Sequence, residues 1–74
     1  MPDLDDLRLV LDTAEQQNLG AVARTRHVSQ STVSRAVQRV EASLGRPLFD
    51  RVGKSVRLRP DAAVAVDAIR AIAT

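Results

Sequence analysis

Residues 26–41 read "RHVSQSTVSRAVQRVE", a run of small hydroxyl and amide side chains set directly ahead of an apolar repeat. Ser29 suits a helix N-cap, because its short side chain can accept a backbone N–H from the first turn. Gly45 suits the residue just past a helix end, and Pro47 blocks continuation, so a helix over about 30–44 is expected. At about 100° per residue, Val33, Ala36, Val37, Val40 and Leu44 fall in one narrow stripe, and Ser31, Ser34, Arg35 and Gln38 gather on the opposite side. The polar side chains decorate a face that the core leaves free.

Immediately upstream, Asn18 can cap a short helix over about 19–25, with Leu19, Val22 and Ala23 as its apolar face. The tight "RHVS" turn between the two helices gives the spacing of a helix-turn-helix. Ala23 is small enough for close helix approach, His27 tolerates the positive φ a turn can require, Val28 is expected to plug the turn, and Val33 anchors the second helix. His27 has no partner in the sequence for a metal site and reads as structural.

Further upstream, Leu4, Leu7, Val10, Leu11 and Ala14 recur at helical spacing over about 3–16, and Asp3, Asp5 and Asp6 sit where a helix N-terminus favours negative charge. Downstream, "LFDRV" and "VRLR" flank "GKS", in which Gly53 supplies the backbone freedom of a hairpin. Phe49, the sole aromatic residue, follows the apolar pattern of its strand and is expected in the core. From Pro60 a last helix over about 60–73 should keep Val64, Ala65, Ala68, Ile69 and Ile72 on one side.

With 74 residues and no cysteine, the chain has room for one small domain and cannot form disulfides; one histidine gives no structural zinc site. The longest mainly apolar run, "AAVAVDAIRAIA", is too short to span a bilayer and carries Asp67 and Arg70. No nucleophile stands with a base and an orienting acid, and no glycine loop could cradle a phosphate, so neither an enzyme nor a cofactor is expected.

Charge is unevenly spread. Residues 24–59 hold nine basic side chains (Arg24, Arg26, Arg35, Arg39, Arg46, Arg51, Lys54, Arg57 and Arg59) against Glu41 and Asp50, while both flanks are net acidic. A basic face on an otherwise acidic module suits a nucleic-acid binder. A protein-interaction or dimerisation module meeting an acidic partner, or a winged-helix regulator of MarR-like or molybdate-regulator-like type, fits the same charge pattern.

"NLGAVARTRHVSQSTVSRAVQRVEASLGRPLFDR" followed by "VRLRPDA" resembles the N-terminal DNA-binding domain of LysR-type transcriptional regulators, most specifically in "HVSQ", "SR" and the spacing of "LG.PLF.R". The resemblance covers about residues 4–72. It implies a mainly α fold, a winged helix-turn-helix with a three-helix core and a two-stranded β wing, over residues 1–59. Residues 60–74 would form a linker helix for dimerisation, cut short of its family length. The partners implied are double-stranded DNA and a second copy of the chain. A small-molecule effector would act only through a C-terminal domain absent here, and the setting would be cytoplasmic.

The same resemblance makes Gln30, Ser31, Ser34 and Arg35 base readers, with Gln30 suited to an adenine edge and Arg35 to guanine O6 and N7. Gln38 lies close enough on that face to add a hydrogen bond. Ser29, Thr32, Arg39, Arg51, Lys54 and Arg57 are expected on the DNA backbone, the wing residues reaching either backbone or minor groove. Val64, Ala65, Ala68, Ile69 and Ile72 are expected to pair two subunits. Ser31 and Thr32 stand where the family often has Pro-Ala, and Arg59 replaces its usual threonine cap.

Overall fold

The computed structural model describes residues 2–53 and 55–73. Its elements are α1 (Leu4–Gln16), α2 (Leu19–Arg26), α3 (Gln30–Leu44), strands β1 (Phe49–Val52) and β2 (Ser55–Leu58), a single 3-10 turn (Pro60–Ala62) and α4 (Ala63–Ala73).

Each helix end has a local cause. Asp3 caps α1, its Oδ1 accepting the Asp6 N–H at 2.8 Å, while the Asp6 carboxylate accepts the Asp3 N–H at 3.3 Å. That reciprocal pair satisfies two backbone donors that an uncapped helix would leave orphaned. Gln17 ends α1 in the left-handed region at φ 53°, and Asn18 caps α2 by accepting the Ala21 N–H at 2.9 Å. His27 ends α2 at φ 56°, so the turn does need the conformation expected of it. Ser29 caps α3, its Oγ accepting the Thr32 N–H at 3.1 Å, and Gly45 at φ 73° closes that helix with its N–H on the Glu41 carbonyl.

The core has two lobes. Val10, Leu11, Val37, Val40 and Leu48 pack with Ala62, Val66, Ile69 and Ala73, joining α1, α3 and α4. Leu19, Val22, Ala23 and Val33 pack with Val56 of β2, seating the wing on the helix pair. Phe49 packs against both lobes, as its pattern predicts. The two strands pair antiparallel with Phe49 opposite Leu58, Asp50 opposite Arg57 and Arg51 opposite Val56. Because opposite residues share a face, Phe49, Arg51, Val56 and Leu58 turn toward the helices, and Asp50, Val52, Ser55 and Arg57 turn to solvent.

Four expectations need correction. Leu44, expected on the core stripe of α3, is 44% exposed at the helix end. The last helix begins with the 3-10 turn and becomes α-helical at Ala63. Its expected single stripe is two lines: Ile69 is 5% exposed and packs inward with Val66 and Ala73, whereas Val64 and Ile72 are 81% and 69% exposed and Ala68 lies between them. Ala65 is half-buried. An Ala- and Val-rich helix is apolar nearly all round, so periodicity alone does not say which line meets α1. Val28, finally, plugs its turn only in part: it is 39% exposed, and the turn is also held by its N–H donating to the Ala23 carbonyl at 3.0 Å.

Candidate nucleic-acid interface

Helix α3 is anchored on one side by Val33, Ala36, Val37 and Val40, all buried, which fixes its opposite side outward. There Gln30, Ser31, Arg35 and Gln38 are exposed and Ser34 is half-buried. Ser31 does not stand alone: the Ser29 Oγ lies 3.1 Å from the Ser31 Oγ and 2.8 Å from the Thr32 Oγ1. The hydroxyls at the head of α3 thus hold one another in place around the cap, and Ser29 spends its side chain chiefly on the helix end.

The wing adds to this face from the side. Arg51, on the helix-facing side of β1, extends its Nη2 to within 3.3 Å of the Ser34 Oγ and donates to it. Gln30, Ser31, Ser34, Arg35 and Gln38 therefore line one shallow groove together with Leu19 and Arg51. Two backbone clamps set the wing's height over α3. The Glu41 carboxylate accepts the Leu48 N–H at 2.6 Å and the Phe49 N–H at 3.4 Å, while on the other edge the Val56 N–H donates to the Gln17 carbonyl at 3.2 Å. Glu41 was legible only as one of two acids in a basic segment.

Arg39 stands elsewhere. Its Nε and Nη2 donate to the two oxygens of Asp6 at 2.9 and 2.8 Å, a bidentate pair tying α3 to the head of α1. Asp6 is 5% exposed, and the guanidinium beside it holds its carboxyl below the usual aspartate value against the opposing effect of burial. In the sequence Asp6 is one of three helix-end charges and Arg39 is a candidate for the DNA backbone. A partner 33 residues away leaves no local signal. Lys54 lies outside the described residues, and Arg57 points to solvent from the outer face of β2.

Arg24 is counted in the basic segment but carries no mark in the sequence of a place at the interface. It sits at the end of α2, and its Nη1 and the Gln30 Oε1 each lie 3.5 Å from where a Cβ on Gly20 would stand. Arg24 and Gln30 thus both reach over Gly20 at the start of α2.

Apart from Arg70, the arginines divide into two groups. Arg8, Arg26, Arg39, Arg46 and Arg59 are ion-paired, with Asp5, Asp12, Asp6, Asp61, and both Asp50 and Asp61 respectively. Among the described residues, Arg24, Arg35, Arg51 and Arg57 make no ion pair; Arg35 and Arg51 line the α3 groove, and Arg57 stands on the wing's solvent face. The arginines of the α3 groove, Arg35 and Arg51, thus have no acidic partner among the described residues.

Helices α2 and α3 with their tight turn, α1 packed behind them and a two-stranded hairpin beside α3 make up a winged helix-turn-helix. A family model for the bacterial regulatory helix-turn-helix protein of the lysR family matches residues 4–63, and the chain belongs to that family. Over 56 residues it is 50% identical to the HTH-type transcriptional activator IlvY of Salmonella typhimurium, covering 76% of this chain and 19% of that protein. It is 42% identical over 52 residues to the HTH-type transcriptional regulator ClcR of Pseudomonas putida, covering 70% and 18%. The chain thus spans about a fifth of the length of these curated relatives.

Among solved structures, the CbnR DNA-binding domain in its DNA complex superposes with a TM-score of 0.87 at 30% identity, covering 95% of this chain and 80% of that one. Oxidised OxyR of Corynebacterium glutamicum gives 0.88 at 26% identity, covering 97% and 23%.

Proposed function

We propose that this chain is the sequence-reading part of a bacterial transcriptional regulator and binds double-stranded DNA by placing α3 in the major groove. One observation carries the reading: α3's outward side chains are hydrogen-bonding groups without core duties, framed by the arginines that lack acidic partners. The positive end of the α3 dipole adds to the attraction for phosphate. Gln30, Ser31, Ser34, Arg35 and Gln38 read base edges, with Arg35 suited to guanine and Gln30 to adenine. Thr32, Arg51, Lys54 and Arg57 hold the backbone or the minor groove, with Arg24 beside Gln30 as an added contact and Ser29 acting through the cap. Arg39, half-exposed, offers its free edge to a phosphate while Asp6 holds the other.

The likeness to a domain solved on DNA supports this reading. Its role is binding, without catalysis or a cofactor, in the cytoplasm. Among the described residues no helix is long and apolar enough to cross a membrane. A second copy pairs through the outward line of α4, Val64, Ala68 and Ile72, with Ala65 at its edge. Two recognition helices then reach half-sites about one helical turn or more apart. Any small-molecule control would lie in a part of the regulator beyond this chain.

Selection of bound sequences from a random duplex pool tests the reading. The expected result is an enriched, roughly palindromic site. Retention that is equal for all sequences, or capture of no duplex at low salt, overturns it.

A further inference from the structure

The wing holds a pairing that its register does not favour. Asp50 on β1 lies directly opposite Arg57 on β2, on the solvent face. Opposite charges at facing positions of an antiparallel pair lie within easy reach of each other. Yet Asp50 accepts from the Nη1 of Arg59 at 3.0 Å, and Arg57 makes no ion pair among the described residues.

The reason lies at the start of α4. Arg59 donates from Nε and Nη2 to the two oxygens of Asp61, each at 3.1 Å, and Asp61 is itself braced by Arg46, whose Nη2 donates to the Asp61 carbonyl at 2.7 Å. A guanidinium already held in a bidentate fork loses little further freedom in accepting a second carboxylate, whereas the Arg57 side chain would have to be ordered for that contact alone. Arg59 thus holds Asp50 Oδ1 from an already ordered position, and Arg57 is left without an ion pair among the described residues.

We propose that Arg59 is a positioning residue for DNA contact: by occupying Asp50, it keeps Arg57 uncommitted and available to a phosphate. The inference rests on the DNA-binding reading above. In a chain with threonine at position 59, Asp50 turns to the residue opposite it and neutralises Arg57. The arginine at the wing's root thus sets the usable charge on its face.

Two arms test this on the 74-residue chain. The first needs no DNA. The side-chain Nε–H signal of Arg57, followed by NMR, should be unmoved by Asp50→Asn in the parent but should shift with the same substitution in an Arg59→Thr background. A shift of equal size in both backgrounds overturns the inference whatever the DNA result. The second arm measures duplex binding against salt.

Arg59→Thr should weaken binding about two- to fivefold and lower the salt slope by about one, the signature of a lost phosphate contact. Adding Asp50→Asn should restore both, whereas adding Asp61→Asn, which removes the same charge but does not face Arg57, should not. Equal rescue by the two substitutions would mean that net charge alone is at work and would overturn the inference. A parent that binds no duplex would sink the functional reading, leaving the first arm to decide the pairing.

Discussion

Helices α3 and α4 are both anchored by one buried side against the same α1, and they differ in what they leave outside. The outer side of α3 offers Gln30, Ser34, Arg35 and Gln38, groups that form directional hydrogen bonds; that of α4 offers Val64, Ala68 and Ile72. The first suits a surface of donors and acceptors at fixed spacing, such as a DNA groove. The second can only be covered by another apolar surface. The division follows from helix composition: α3 interrupts its apolar stripe with amides, hydroxyls and arginines, while α4 is so rich in Ala, Val and Ile that its apolar surface runs past what α1 can cover.

The two lines of α4 give the largest effect. Ile69→Asp places a carboxylate among Val10, Leu11, Val40 and Val66, losing the packing of a buried isoleucine and burying an unpaired charge, at a cost of about 4 kcal/mol or more. A domain of this size has stability of only that order. Circular dichroism should find the variant largely unfolded at 25 °C. A folded Ile69→Asp chain would mean that α4 is not part of the core.

On the other side of the comparison, Arg35→Ala should cost about 1–3 kcal/mol on the selected site and much less on random duplex. Because Arg35 is exposed and unpaired among the described residues, thermal stability should stay close to the parent's. Equal losses on both DNAs would move Arg35 from base reading to phosphate contact and blur the contrast with α4.

A smaller effect comes from the pair that fixes how α3 lies on α1. Asp6→Asn leaves the Arg39 guanidinium without its charged partner and should cost about 1–2 kcal/mol at neutral pH, less than a fully buried pair because Arg39 remains half in water. The Asp6 pKa is lowered by folding, so its contribution is complete above the unfolded carboxylate's pKa and is lost as the pH falls through the folded value. Urea midpoints of parent and variant should therefore differ at pH 7 and converge as the pH falls below the ordinary aspartate range. A gap that is constant with pH would assign the cost to shape rather than charge.

Much of the local structure was legible because it is dictated within a few residues. The caps Asn18 and Ser29, the positive-φ turn at His27 and the stop at Gly45 all act over one helical turn, and each stands where its residue type implies. The polar face of α3 was equally legible, since a stripe of Val and Ala fixes its own opposite. What remained hidden acts across the chain: Asp6 with Arg39, Glu41 with the amides of Leu48 and Phe49, and the grip of Arg59 on Asp50 and Asp61. Formal charge shows that these residues are acidic or basic, but only the packing of helices decides which meet. The face of α4 failed for a related reason, because a helix apolar on both sides carries no periodic mark of the side that α1 will choose.

The smallest expected effect on the fold sharpens the comparison most. Ile72 lies three residues from Ile69 and is the same residue type, yet it is 69% exposed where Ile69 is 5% exposed. Ile72→Asp removes no internal packing of consequence, adds a charge that stays in water, and should change unfolding stability by no more than about 0.5 kcal/mol. If the outward line of α4 meets a second copy, that charge is desolvated at the pairing surface. Sedimentation on a duplex with two half-sites should then find two parent chains bound cooperatively and the Ile72→Asp chain bound independently to each half. Affinity for a single half-site should be unchanged, since α3 is untouched. Cooperative binding that survives Ile72→Asp and Val64→Asp together would remove this face from assembly and leave α4 as a core helix with a greasy back.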